Sequence, residues 1–392
     1  MAARCRGIVR RAAFDIGSGM TKMQVSDVEL ATGRILATQF AEEREVLFAA
    51  DWKQNARDGG AAAGLSGGIQ QQGLEVLGAL KEIALDLGAV EMRAIATEVF
   101  RKAANGSQFL ERVESQLGVK ASVIAQDEEA RLGWLTAVAG GAAAPESVLG
   151  WDSGGGSFQI TARRSDSDEM QSFLGEWGST VASDALVSSI RGGAFTIGGD
   201  INPVSMGEAQ ALIALVRESL PPPPPWLSAM LANPQTRIVG IGGATSIFRL
   251  ASEVSGLLRP PLLPLLAAGA EGPPADADPA ALPVLSQQLI WEGIERTVGQ
   301  SDEVLSAKYL QHYMVVPKLC LCWAVMEHLS LPQFTHQPAC GSCAGLAVVD
   351  SHAAEGQPRM WPEPAASVTE RASAAEAAPA ASTAGLFLAD ED

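Results

Sequence analysis

Cysteine is scarce in this 392-residue chain, and five thiols are too few to staple a secreted scaffold, so a reducing compartment is expected. Positive charge is scarce as well. Twenty-eight Lys and Arg stand against forty-five Asp and Glu, a formal net charge of −17. Chains that hold nucleic acid or anionic membrane surfaces by clustered cations carry the opposite sign, so neither is expected as a partner. Long apolar runs are also missing. The windows from Leu257 to Leu266 and from Leu319 to Leu331 are broken by prolines or by Glu327, and both fall short of the roughly 20 residues a spanning helix needs. The opening stretch, Met1 to Arg11, is basic and lacks the apolar core of a signal peptide. A soluble, cytoplasmic protein is the expectation. The four histidines, His312, His328, His336 and His352, show no metal-ligand spacing. Cys320-Leu321-Cys322 and Cys340-Gly341-Ser342-Cys343 offer enough thiols for zinc. Residues two apart on a helix face different sides, however, so buried structural thiols are the better reading.

What is present is a chain long enough for two to three domains. Forty glycines and 22 prolines punctuate it. Residues 54–73, 220–234 and 259–283 are rich in Gly, Ala, Gln or Pro, and read as surface insertions in which neither a packed helix nor a central strand is expected. Residues 352–392 read as a disordered acidic tail. Between them, Leu74, Leu77, Leu80, Ala84 and Leu87 fall at helical spacing, which predicts a helix over 73–88. A strand is expected at 91–96, a helix capped by Ser107 and ending at Gly118, a strand at 119–125, and a helix capped by Asp127. Strands alternating with helices make the fold class α/β.

One internal repeat organises the chain. Asp15-Ile16-Gly17-Ser18-Gly19 returns 137 residues later as Asp152-Ser153-Gly154-Gly155-Gly156, each copy lying between an apolar run and a second strand-like run. Each therefore reads as a hairpin tip, unlike the strand-to-helix loops of Walker or Rossmann type. Such a tip converges backbone N–H groups on a phosphate, and an Asp at the strand end suits Mg²⁺. Either loop alone is equally a tight turn. A third site, Gly242-Gly243-Ala244-Thr245, follows the apolar run Ile238 to Ile241 and opens a helix, an anion site by its free N–H groups and dipole.

The set of motifs resembles the exopolyphosphatase/guanosine pentaphosphate phosphatase (Ppx/GppA) family of the actin-like ATPase superfamily. The segments that carry the resemblance are Asp15 to Gly19, Ala96-Thr97-Glu98-Val99-Phe100-Arg101, Asp127-Glu128-Glu129-Ala130-Arg131-Leu132, Trp151 to Ser157, and Val239 to Thr245. A weaker match runs from Pro317 to Leu346. The resemblance covers about residues 11 to 351 and implies two RNase H-like domains, 11–134 and 135–351, flanking an interdomain cleft. It implies a Mg²⁺-dependent hydrolase that releases terminal phosphate from inorganic polyphosphate or guanosine pentaphosphate, and a homodimer is compatible with it.

By resemblance, Glu129 is the general base and Arg101 grips the phosphoryl group, while Asp15 and Asp152 hold the metal. The phosphate-binding positions are Gly17, Ser18, Gly19, Thr21, Lys22 and Thr97, then Gly154, Gly155, Gly156 and Ser157, then Gly243, Ala244 and Thr245. The chain departs from the family pattern at Gly19, Met20 and Lys22, at Gln159 where Glu is usual, and at Cys343 and Ala344. Gln159 matches the apyrase-type nucleoside phosphatases, which keeps nucleoside di- or triphosphate hydrolysis open as an alternative. A non-catalytic phosphate or nucleotide sensor is the other.

Overall fold

In the computed structural model, residues 7–59, 63–139, 144–164, 169–258 and 282–349 are described. They build two sheets. The first holds β1 (Ile8–Ile16), β2 (Met20–Glu29), β3 (Arg34–Glu45), β4 (Glu91–Ala96) and β5 (Ala121–Val123) in the order β3-β2-β1-β4-β5. The second holds β6 (Val148–Ser153), β7 (Phe158–Arg163), β8 (Met170–Gly175), β9 (Arg237–Gly242), β10 (Val284–Ser286) and β11 (Gln333–Pro338) in the order β10-β11-β9-β6-β7-β8.

The two orders are one topology used twice. An antiparallel hairpin, β1–β2 or β6–β7, is extended on one side by a third antiparallel strand. On the other side, two parallel strands reached through helical crossovers follow, and in the second sheet the antiparallel β10 adds a sixth strand at the edge. The internal repeat of the sequence is therefore a repeat of architecture.

Each sheet packs on its own apolar core. In the first, Phe14, Ile16, Leu77, Leu80 and Phe109 are fully buried, around a ring cluster of Phe48, Phe100 and Phe109 with centroids 4.9–5.8 Å apart. In the second, Trp151, Phe248 and Phe334 meet edge to face at 5.0–5.4 Å. The central strand β1 is covered on both faces. Ala12, Phe14 and Ile16 face the first core, whereas Val9 and Ala13 face the helix Cys343–Val348. The last described helix thus returns to the first sheet, packing on β1, β2 and the helix Gln126–Ala139.

Several sequence expectations need correction. The helix expected over 73–88 runs Gly67–Asp86, because Ser66 caps it by accepting from the Ile69 amide. Asp51 clamps Ser66 in turn, through its backbone N–H at 2.7 Å and its hydroxyl at 2.5 Å. With the helix Phe48–Gly59, this converts most of the expected insertion at 54–73 into regular structure.

Gly73, which composition assigns to a loop, is a packing residue. A Cβ there would lie 2.6 Å from Phe48 Cζ and 2.9 Å from Phe109 Cζ. We expect Gly73→Ala to reduce stability by about 1–3 kcal/mol through overpacking, read as an earlier urea midpoint.

The proline run also contains a helix, Pro225–Leu231, with Leu227 fully buried. Proline is well suited to the first helical position, where its missing N–H costs nothing. The Ser107 cap is displaced to Asn105, and the helix ends at Gly118 in the left-handed region as expected. Asp127 lies inside the helix Gln126–Ala139 rather than before it. The strand expected at 119–125 is three residues long, Ala121–Val123. The tail at 352–392 and all but the last two residues of 259–283 lie outside the described residues. Cys320, Cys322, Cys340 and Cys343 are all buried. Among the described residues no helix is long and apolar enough to cross a membrane.

Candidate active site

The two repeated loops fold alike. In the first hairpin the Gly17 amide donates to the Met20 carbonyl at 3.0 Å, and in the second the Gly154 amide donates to the Ser157 carbonyl at 2.9 Å. Asp15 lies opposite Lys22 in register, and Asp152 opposite Gln159. The chain reverses at the glycines, so each Asp is left at the strand end beside its tip.

The third loop leads from β9 into the helix Ile247–Val254, which Ser246 caps by accepting from the Arg249 amide at 3.1 Å. The fully buried His336 holds this loop from beneath, its ring bridging Ser252 Oγ and the Gly242 carbonyl, both at 3.2 Å. Lys318, also buried, donates to the Thr245 carbonyl at 2.6 Å and to Gln311 Oε1 at 2.7 Å. Burial pushes Lys318 down to about 7, against the opposing pull of Glu43 and Glu253.

All three loops open on one cleft of about 480 Å³ between the sheets. Asp15, Gly17, Ser18, Gly19, Lys22, Thr97, Arg101 and Glu129 line it from the first half of the chain. Asp152, Gly154, Gly155, Gly156, Ser157, Gly243 and Thr245 line it from the second. Two expected positions lie elsewhere. Side chains alternate along a strand, so Thr21 turns away from the side that Lys22 faces and is fully buried. Ala244 is exposed to solvent outside the cleft.

Glu129 reaches the cleft because the helix Gln126–Ala139 packs on Asp152 through Gly133, where a Cβ would stand 3.3 Å from the Asp152 Cβ. Glu129 lies one turn before Gly133, on the same face. It is ion-paired with Arg101 at 3.2 Å, and Arg101 also donates to the Ile124 carbonyl at 2.7 Å. Burial raises the Glu129 carboxyl to about 7, with Asp15 and Asp152 adding to the rise and Arg101 opposing it. Asp152 is pushed up to about 6 by burial and by Asp15, with Lys22 opposing. Burial alone would lower Lys22, but the carboxylates of Asp15, Glu43 and Asp152 outweigh it and keep the ammonium charged. Asp15 accepts from the Ser342 amide at 3.1 Å, and the Lys22 ammonium lies 3.8 Å away.

Sequence reasoning missed several residues here. Glu98 directly follows Thr97, accepts from Lys102 Nζ at 2.6 Å and lies 3.4 Å from Ser18 Oγ. Its spacing to Lys102, one helical turn, was the available signal. Glu43 lies across from Lys22 in the β2–β3 register and 3.5 Å from Thr245 Oγ1. Ser342 and Gln311 also line the cleft, and nothing local in their sequence marks them.

Residues 36–173 match the model of the Ppx/GppA phosphatase family. That segment contains Arg101, Glu129 and Asp152. Among solved structures, the Ppx/GppA family member from Aquifex aeolicus aligns at 19% identity with a TM-score of 0.61, covering 88% of this chain and 98% of that one. An exopolyphosphatase from Cytophaga hutchinsonii aligns at 19% identity and TM-score 0.58, covering 86% and 96%. This chain has the Ppx/GppA fold. An exopolyphosphatase-like protein at 15% identity, TM-score 0.61, shares it over 87% of this chain and 97% of its own. Within the Ppx/GppA frame, the first two loops are equivalent hairpins of the duplicated unit, and the cleft between the two sheets is where they face each other.

Proposed function

We propose that this chain is a phosphoric anhydride hydrolase of the Ppx/GppA type, releasing terminal phosphate from polyphosphate or a phosphorylated guanosine nucleotide within the cleft between its two RNase H-like units. The observation that carries the reading is the position of Glu129. A carboxyl raised to about 7, paired with a guanidinium that can be drawn onto phosphate, faces two Asp-Gly hairpins in one cavity. A base whose pKa lies near the working pH is both available and strong enough to take a proton from water.

Backbone N–H groups of the three loops hold the phosphate chain. Arg101 exchanges its contact with Glu129 for the terminal phosphoryl oxygens, which a planar fork matches well. The exchange also removes the group that holds the Glu129 pKa down, so the arrival of substrate strengthens the base. Water then bonds to the terminal phosphorus, its proton passes to Glu129, and the bond to the bridging oxygen breaks. The bridging oxygen leaves on the shortened chain.

The residues suit a hard divalent cation such as Mg²⁺. Asp15 and Asp152 place carboxylates at matching strand ends, and burial together with mutual repulsion has already raised Asp152, strain that a divalent cation would relieve. When bound there, the cation would neutralise charge on the anhydride oxygens.

A second reading, hydrolysis of nucleoside di- or triphosphates, is favoured by Gln159. Its neutral amide stands buried opposite Asp152, where a carboxylate would add charge, and donates to Ser157 Oγ at 3.2 Å. Phosphate release from polyphosphate, guanosine pentaphosphate, ATP and ADP, with and without Mg²⁺, separates the readings. Nucleotide turnover alone would replace the first by the second, and no turnover on any of the four would remove both.

The pH dependence has a fixed sign. A base acts when deprotonated, so kcat/KM should climb with pH and level off above about 7. Arg101→Ala removes the cation that opposes the rise, and the acidic limb should move to higher pH by about one unit or more. A limb that moves down or stays in place contradicts the assignment of Glu129 as the base.

A further inference from the structure

The space above a glycine in a phosphate-binding loop is normally left for a phosphate oxygen. In two of the three loops it contains a carboxylate instead. A Cβ built on Gly156 would fall on the Glu98 carboxylate, and one built on Gly243 would fall on the Glu43 carboxylate. Both side chains belong to the first half of the chain and reach across the cleft to loops of the second. Lys102 and Ser18 hold Glu98 there. Glu43 is held by Thr245, with Lys22 and Lys318 nearby.

The cations that line the cleft already face carboxylates. Lys22 faces Asp15 at 3.8 Å, Lys53 reaches across to Asp184 at 3.7 Å, and Arg101 and Lys102 are paired with Glu129 and Glu98. An incoming anion therefore meets carboxylates at two anion positions, with cations that are already paired.

We propose that Glu43 and Glu98 are specificity-determining residues. They occupy the anion positions of the second and third loops. The cleft therefore takes short phosphoric anhydrides as divalent-metal complexes and turns away long uncomplexed polyphosphate. The inference rests on the hydrolase reading and narrows its substrate class. Two like charges at contact distance repel strongly at the effective dielectric of a protein cleft. Phosphate can enter only if the carboxylate withdraws, losing Lys102 or Thr245, or if a cation lies between the two.

The test is calorimetric binding of inorganic tripolyphosphate and of long-chain polyphosphate, with and without Mg²⁺, to the full chain and to Glu98→Gln, Glu43→Gln and the double variant. The wild type should bind tripolyphosphate about tenfold or more tightly with Mg²⁺ than without. Each Gln variant should bind the Mg²⁺-free ligand about tenfold or more tightly than wild type, with the larger gain for the long chain. Glu98→Asp keeps the charge but draws it back from Gly156, and should fall between wild type and Glu98→Gln. It also serves if a Gln variant fails to fold by circular dichroism.

Equal or weaker Mg²⁺-free binding in the variants overturns the inference. Phosphate release is followed on the same samples. Release with unchanged binding across the variants overturns the inference and leaves the hydrolase reading standing. The expected binding pattern without any release upholds the inference and overturns the hydrolase reading.

Discussion

Glu129→Gln is expected to lower kcat by about 10²- to 10⁴-fold while the protein still captures its phosphate ligand. The amide has the shape of the carboxylate but cannot accept a proton from water, so the loss falls on the chemical step. Glu129 is half-buried on a helix whose position is fixed by packing of Gly133 on Asp152, and the substitution leaves that packing untouched. Arg101 loses its ion-pair partner and becomes free for phosphate, so KM should stay level or fall. A variant with near-wild-type kcat would assign the base elsewhere. Loss of ligand binding together with activity would make Glu129 a structural residue.

The second large effect concerns the two aspartates. Asp15→Asn and Asp152→Asn are each expected to raise the Mg²⁺ concentration for half-maximal phosphate release by about tenfold or more, and chelation of divalent cations should abolish release in the wild type. Both aspartates help to raise the carboxyl of Glu129, so either substitution should also move the acidic limb of the pH profile to lower pH. Asp15 in addition faces the Lys22 ammonium at 3.8 Å, so Asp15→Asn, which removes that ion pair, should also lower the melting temperature. Unaltered Mg²⁺ dependence in both variants would remove the metal assignment.

The parts of this site that are legible in the sequence are those whose chemistry is local. A hairpin tip needs glycine, and an Asp just before it keeps a fixed relation to the turn, so Asp15 and Asp152 with their glycines could be read directly. The duplicated topology followed from the same repeat. Glu129 was legible only through its motif, because an acidic residue in a first helical turn is otherwise ordinary.

Other features depend on distant pairing. Glu43 meets Lys22 through the register of β2 with β3, which shifts twice along its length. Ser342 reaches Asp15 across 327 residues. The stretch at 54–73 misled because its glycines looked like loop, whereas Gly73 serves close packing under Phe48 and Phe109. The five prolines from Pro221 to Pro225 hid a helix for a related reason, since a proline that stops one element can start the next.

The acidic character of the chain takes on a specific meaning in this cleft. A net charge of −17 disfavours polyanions in general. Here the disfavour is local, carried by Glu43 and Glu98 against Gly243 and Gly156.

The central claim is that water, activated in this cleft by Glu129, attacks the terminal phosphorus. Turnover in ¹⁸O-enriched water, with the released phosphate read by mass spectrometry, tests it most directly. One solvent oxygen is expected in each released phosphate, with no label on the shortened chain and labelling by Glu129→Gln slower by about a hundredfold or more. Label on the shortened chain, or equal labelling by the variant, would contradict it.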